Sequence, residues 1–268
     1  MIPPMTGSPS PTSAIGRTGD FLLCLGVTLL CWTWFLGGFL FIFSWAYLAV
    51  HLLGKEPEKG FQRLNHHFFR VFFFLLRGVA RRQKILIDPS LADIRSAVVV
   101  CNHLSYLDPL FLVSLFPQHR TIVKTRFFST PIFGAMIKRS GYLPATSEGR
   151  HAGLFLERLE NMPAFLADGG NLFIFPEGTR SRDGRLGPLQ PGALKIARRC
   201  QAPIYVLRLR GTDSLFTAGK FLFNAHRANT IVIDILTRLE PDYQRQPPST
   251  SDLEWQLRTA FESDPRLG

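Results

Sequence analysis

From Phe21 to Leu53 the chain carries no Asp, Glu, Lys or Arg. A run of about thirty such residues is long enough to cross the roughly 30 Å hydrocarbon core of a bilayer. As one straight helix it would extend about 50 Å, more than a perpendicular crossing uses. Gly37-Gly38 divides it near the middle. Two arrangements follow: a tilted membrane-embedded helix with interfacial ends, or a hairpin of two short helices folded at the glycines and dipping into one leaflet. A cleaved signal peptide is disfavoured, because its charged leader would be Arg17 alone, the run is too long, and no small-x-small site closes it. Residues 1–20, rich in Pro, Ser, Gly and Thr, are expected to be disordered.

The flank that follows, residues 54–84, is basic and amphipathic. Arg63, Arg70, Arg77, Arg81, Arg82 and Lys84 alternate with Phe61, Phe68, Phe69, Phe72, Phe73, Leu75 and Leu76. Such a helix either lies on an anionic lipid surface with its phenylalanines inserted, or packs its apolar stripe on a protein core. Positive charge on this side of the apolar run predicts a cytoplasmic membrane location, with the rest of the chain on the cytoplasmic side. His66-His67 has no partner at metal-ligand spacing and reads as a surface pair. A formal charge of +11 with 24 Phe in 268 residues fits nucleic acid or an anionic membrane. The apolar run favours the membrane, so lipids are the expected partners and nucleic acid is not. Cys24, Cys31, Cys101 and Cys200 show no paired spacing and no disulfide framework, which fits a reducing compartment.

Residues 85–240 read as α/β. Strand candidates are residues 85–87, 97–101, 121–123, 172–175, 204–209 and 231–236, and helix candidates are 110–116, 132–140, 151–167 and 193–199. Pro163 must kink or split the third helix, and Gly141 and Gly169 stand where helix ends want a left-handed residue. Alternation of this kind predicts a mostly parallel sheet covered by helices on both faces. Residues 241–268, with Pro247-Pro248, read as a linker and a short helix over 252–261.

Within this domain one stretch stands out, Asn102-His103-Leu104-Ser105-Tyr106-Leu107-Asp108-Pro109, directly after the β-branched run 97–101. Asp108-Pro109 suits an N-cap followed by the first helical position. His103 then falls on a loop between a strand end and a helix start, with a carboxylate a few residues on. A histidine so placed can act as a general base whose other nitrogen the carboxylate holds; the alternative is a polar turn with a capping Asp. Cys101 reads as a buried small hydrophobe, and Ser105 as a turn residue. A second stretch, Phe175-Pro176-Glu177-Gly178-Thr179-Arg180-Ser181, follows another apolar strand. Gly178 permits a tight backbone approach there, and Arg180 offers a planar fork suited to phosphate.

Together, N-H-x4-D and F-P-E-G-T-R-S resemble the first and third motifs of the glycerolipid acyltransferases, the lysophosphatidate acyltransferase family. The resemblance covers roughly residues 98–211. It implies an enzyme that moves a fatty acyl group from acyl-CoA or acyl-ACP to the free hydroxyl of lysophosphatidate, giving phosphatidate in phospholipid biosynthesis. His103 would be the base and Asp108 its orienting partner. Glu177, Gly178, Thr179 and Arg180 would bind substrate, with Glu177 either bonding the acceptor's hydroxyl or holding Arg180. An ion pair closing the loop is the structural alternative for those two. Lys124, Pro131 and Gly134 fall at the spacing of the family's second motif, which makes Lys124 a phosphate contact unless it is a solvated strand-end lysine. Family members can carry a two-helix membrane motif before the catalytic domain, which favours the hairpin for residues 21–53.

The sequence departs from the family at two places. Thr146-Ser147 stands near the usual Asp-Arg of the second motif, with Arg150 a possible substitute, and the fourth motif keeps Pro203 but lacks a second proline. These changes bear on the acceptor, so a different lysolipid, such as a lysophospholipid or lyso-aminolipid, is an alternative. With no G-x-S-x-G present, direct transfer is simpler than an acyl-enzyme. No nucleotide loop and no metal-ligand cluster appears, so no cofactor or metal beyond the thioester co-substrate is expected. Rivals of other classes are a lipid hydrolase using the same His and Asp, and a non-catalytic membrane-surface binding protein.

Overall fold

The computed structural model describes residues 14–146, 148–181 and 184–263. Helix α1 (Ala14–Thr33) passes without a break into a π-helical stretch, Trp34–Phe43, and on into α2 (Ser44–Leu53). The glycine pair therefore does not fold the segment into a hairpin. At Gly38 the Trp34 indole lies only 3.1 Å from where a Cβ would stand, so the glycine makes room for a ring on a continuing helix. Helix also extends back to Ala14, where composition predicted disorder, because lengthening an existing helix needs no new nucleus. Residues 1–13 of that predicted tail lie outside the described residues. Thr18–Leu53 is long and apolar enough, by length and composition, to cross a membrane.

One face of this helix is docked on the rest of the chain. Cys24, Val27, Cys31 and Tyr47 are buried, and Trp34, Phe35, Phe39 and Phe43 pack against the core. Hydrogen bonds pin it, among them the Phe223 N–H donating to Thr28 Oγ1 at 2.9 Å and the Tyr47 hydroxyl donating to Asn65 Oδ1 at 2.5 Å. The other face is left bare, with Phe41 78%, Trp45 70% and Leu53 83% exposed.

Asn65 belongs to α3 (Pro57–Val79), the basic amphipathic segment. Its stripe of Phe61, Phe68, Phe69, Phe72, Phe73 and Leu76 is buried in protein, while Arg63, Arg70 and Arg77 are exposed on the far side. Of the two surfaces that could take this stripe, protein takes it, and Val71, Phe74 and Val79 are the large apolar residues of α3 that stand exposed. His66 is likewise not a surface residue. It is buried, donates from Nδ1 to the Val113 carbonyl at 3.1 Å, and is kept neutral by burial, which pushes its pKa down to about 4. Glu58 at the start of α3 ties the helix to the domain through Arg120 at 2.6 Å and Arg158 at 2.7 Å.

The sheet has strands β1 (Gln83–Ile87), β2 (Ala97–Cys101), β3 (His119–Val123), β4 (Leu143–Pro144), β5 (Asn171–Ile174), β6 (Ile204–Arg210) and β7 (Asn229–Leu239). Their order is β1-β7-β6-β2-β5-β3-β4, and every pairing is parallel except β6 with β7. The mostly parallel α/β sheet is thus as the alternation predicts; the two-residue strand β4 was not visible in it. Every residue of β2 is buried, as a central strand covered on both faces requires. Val99, Cys101 and Phe173 face the core under α3 and α4 (Leu107–Leu115). Val98, Val100 and Leu172 face the second core. Helices α7 (Met162–Ala167), α8 (Pro191–Cys200) and α10 (Thr250–Glu262) cover that side. Pro163 splits the expected long helix into α6 (Ala152–Glu160) and α7, and Gly141 and Gly169 take φ of +76° and +88°. Helix α5 (Phe133–Arg139) lies between β3 and β4, and the one-turn α9 (Thr212–Leu215) follows β6.

Because β2, β3, β5 and β6 run the same way, their C-terminal ends share one edge. The chain leaves β2 toward β3 and leaves β5 toward β6, in opposite directions across adjacent strands. In an open α/β sheet a crevice forms where connections diverge like this.

Candidate active site

His103 lies on the loop leaving β2. Its Nδ1 is 2.8 Å from Asp108 Oδ2. Asp108 is fully buried and does more than orient the ring. The same oxygen accepts the N–H groups of Leu104 at 2.5 Å and Ser105 at 2.7 Å, and Oδ1 accepts the Thr212 hydroxyl at 2.5 Å. The N-cap expected at Asp108 is displaced: α4 begins at Leu107, so the carboxylate sits in the first turn and reaches back over its own loop. A carboxylate only accepts, so His103 Nδ1 carries the hydrogen and Nε2 is left with the basic lone pair. Asn102, buried beside it, bonds both the N–H and the carbonyl of Leu209, extending the β2–β6 pairing by a side chain.

The loop leaving β5 closes on this one. Glu177 is buried; its Oε1 accepts the His103 N–H at 3.0 Å and its Oε2 the Gly187 N–H at 2.9 Å. The Ser181 N–H donates to the His103 carbonyl at 2.7 Å, and the Phe175 ring stacks on the imidazole, centroids 4.4 Å apart. The two motifs, distant in sequence, thus form one clamped pair of loops. Glu177 does not hold Arg180: its oxygens accept the backbone N–H groups of His103 and Gly187, and no bond joins it to the guanidinium. Gly178 takes φ of +66° with Gln190 Cγ 3.1 Å from its absent Cβ, a conformation and a space that suit glycine. Thr179 is exposed on the same turn.

Arg180 makes no hydrogen bond or ion pair with a described residue. Its guanidinium carbon lies 3.6 Å over the Tyr106 ring, and its Nη1 is buried without a partner. Lys124 stands exposed at the end of β3, on the shared sheet edge, with no bond to the other site residues. Ser105 is the turn residue expected, its Oγ donating to the Phe216 carbonyl at 2.9 Å. Cys101 is fully buried, and burial pushes its thiol well above the usual range. Arg150 is exposed, while Ser147 lies outside the described residues. Beside the loops is a cavity of about 290 Å³, bounded by Asn102, Leu104 and Glu177 on one side and Arg208 and Phe261 on the other. Among the described residues no cluster of His, Cys, Asp and Glu is arranged to hold a metal ion. Sequence reasoning missed Thr212, Tyr106 and Gly187 as parts of this site. Thr212 alone left a signal, following Gly211 at the end of a strand parallel to β2.

The sequence model of the acyltransferase family matches residues 86–210. A chloroplastic 1-acyl-sn-glycerol-3-phosphate acyltransferase of Brassica napus is 35% identical over 122 residues, 46% of this chain and 35% of that protein. A probable 1-acyl-sn-glycerol-3-phosphate acyltransferase of Mycoplasma pneumoniae is 29% identical over 177 residues, covering 63% of each. This chain spans about a third of the length of the chloroplastic relatives from Brassica napus and Arabidopsis thaliana. The fold is also that of the crystal structure of the 1-acyl-sn-glycerophosphate acyltransferase PlsC from Thermotoga maritima. The two superpose with a TM-score of 0.64 at 20% identity, over 93% of this chain and 99% of that one. Residues 86–210, which contain both clamped loops, match the acyltransferase family, and over that stretch the chain is similar to 1-acyl-sn-glycerol-3-phosphate acyltransferases.

Proposed function

We propose that the chain is a membrane-bound O-acyltransferase that moves a fatty acyl group from a CoA or acyl-carrier-protein thioester to the free hydroxyl of lysophosphatidate. The observation that carries this reading is the His103–Asp108 pair, held in one tautomer and clamped against the loop that bears Arg180. In the proposed step, His103 Nε2 takes the hydroxyl proton as the acceptor oxygen attacks the thioester carbonyl carbon. The tetrahedral intermediate collapses, the C–S bond breaks, and the departing sulfur receives the proton from Nε2. The N–H groups of His103, Leu104 and Ser105 already have carboxylate partners. Donors for the intermediate's oxyanion must therefore come from elsewhere, and the backbone of Thr179 and Arg180 on the facing loop is our candidate. Arg180 and Lys124 would take the acceptor's phosphate, a dianion that favours charge-assisted hydrogen bonds.

The bare apolar face of α1 and α2 supports membrane attachment. Its opposite face is docked on the domain, which favours a helix that lies along one leaflet with the domain over one that crosses alone. The exposed arginines of α3 and the charge of the flank support the cytoplasmic side.

A different lysolipid is the second reading, favoured by Thr146-Ser147 where the family has Asp-Arg. Purified full-length protein, given both donor types and a panel of lysolipids with products read by mass spectrometry, decides between them. Thioester loss that depends on lysophosphatidate, with Arg180→Ala raising its KM strongly, is the expected result. Preference for a zwitterionic lysolipid, insensitive to Arg180→Ala, removes the phosphate assignment and keeps the transferase. Release of free acid without an acceptor makes the protein a hydrolase.

A further inference from the structure

Arg180 poses a question the two motifs leave open: what fixes a cation that has no anionic partner among the described residues? A charged guanidinium half-buried on a loop, with no hydrogen bond to a described residue, would ordinarily sample many rotamers. Here its one contact of note is the ring of Tyr106, with the guanidinium carbon 3.6 Å from the ring centroid. At that distance the planar cation lies over the ring face, which sets its height above the ring.

Tyr106 is itself held in place. The Ser105 hydroxyl beside it donates to the Phe216 carbonyl at 2.9 Å. The Tyr106 ring rests against the Phe216 ring at 6.4 Å, and Phe216 stacks on Phe223 at 4.5 Å. Phe223 is in turn bonded to Thr28 of the apolar helix. Yet Tyr106 is no core residue, being 53% exposed, and its hydroxyl bonds no described residue. Neither full burial nor a hydroxyl contact accounts for an aromatic ring here.

We propose that Tyr106 is a positioning residue, whose ring holds the Arg180 fork at the angle that meets a phosphate monoester on the acyl acceptor. The inference rests on the phosphate-binding role given to Arg180 above. Nη1, buried and unpartnered, is the donor that such a phosphate oxygen would satisfy. Because only the ring face acts, phenylalanine should serve as well as tyrosine, and leucine should not.

The test uses full-length protein in detergent micelles, as wild type, Tyr106→Phe, Tyr106→Leu and Arg180→Ala. Binding of dodecyl phosphate and of dodecyl phosphocholine is measured by calorimetry, and acyl transfer to lysophosphatidate is measured in parallel. Tyr106→Leu is expected to weaken dodecyl phosphate binding, and to raise the KM for lysophosphatidate, by roughly threefold to thirtyfold. Its kcat and its thermal midpoint should stay near wild type, Tyr106→Phe should match wild type, and phosphocholine binding should not move. If Tyr106→Leu binds dodecyl phosphate as wild type does, or if Tyr106→Phe is as impaired as Tyr106→Leu, the positioning role is wrong whatever the turnover. Wild type that binds dodecyl phosphate through Arg180 and Tyr106 but does not acylate lysophosphatidate overturns the proposed acceptor and keeps the positioning role. Failure of wild type to bind any phosphate monoester overturns both.

Discussion

Replacing His103 with alanine is expected to lower kcat for acyl transfer by roughly 10²–10⁴-fold, the usual contribution of a positioned general base. KM should change little, because the lost interaction acts on the proton in flight and not on bound substrate. The loop itself should survive, since the hydrogen bonds that clamp it run through the His103 backbone N–H and carbonyl, and the ring adds the Phe175 stack and the bond to Asp108. Asp108→Asn should be nearly as damaging to transfer for two reasons. An amide can leave the imidazole in the wrong tautomer, and it sets an NH2 group among donors that now share a carboxylate. The two variants should therefore part company in stability. His103→Ala should melt close to wild type, while Asp108→Asn should melt several degrees lower, its buried donors no longer all satisfied. Steady-state thioester consumption and thermal melts check both, and near-normal turnover by His103→Ala would end the mechanism.

The second large effect concerns the membrane. Phe41 and Trp45 stand on the bare face of the apolar helix, 78% and 70% exposed. Each should contribute roughly 1.5–3 kcal/mol when buried in lipid, so Phe41→Glu with Trp45→Glu is expected to weaken vesicle binding by roughly 10²–10⁴-fold. The melt of the protein in detergent should hardly change, because neither side chain belongs to the core. Deleting the helix is a poorer experiment. Its other face covers Phe68 and Phe69 and bonds Phe223, so truncation would strip a protein core as well as an anchor. Flotation on anionic phospholipid vesicles gives the answer, and a double variant that floats with wild type rules this face out as the membrane contact.

How far these features could be read from the sequence depends on the distance over which each is decided. The β-branched run 97–101 is β2 to the residue, because a strand covered on both faces must be apolar throughout. The paired motifs are legible because their residue types are rare together and each follows a strand. The stripe of α3 shows where the limit lies. Spacing of Phe61, Phe68, Phe72 and Leu76 states that one face is buried and is silent about whether lipid or protein buries it. Gly37-Gly38 misled for a related reason: a glycine pair permits a bend without requiring one, and here the helix runs on with the Trp34 ring packed on Gly38. Glu177 is the same kind of case, its partners His103 and Gly187 being fixed only once β2 and β5 lie side by side. Strand β4 is two residues containing a proline, too short for any periodicity.

The bonds between the β2 and β5 loops carry a kinetic consequence. Ser181 to His103, and His103 to Glu177, are links in both directions, so neither loop can lift from the sheet edge while the other stays. The pair should breathe as one cooperative unit. The amide hydrogens of His103, Ser181 and Gly187 should then exchange with solvent deuterium at a common opening free energy, well below that of the buried amides of β2. A site sewn together in this way is either whole or absent in each molecule at any instant, and warming should reduce the number of competent molecules before it degrades any one of them.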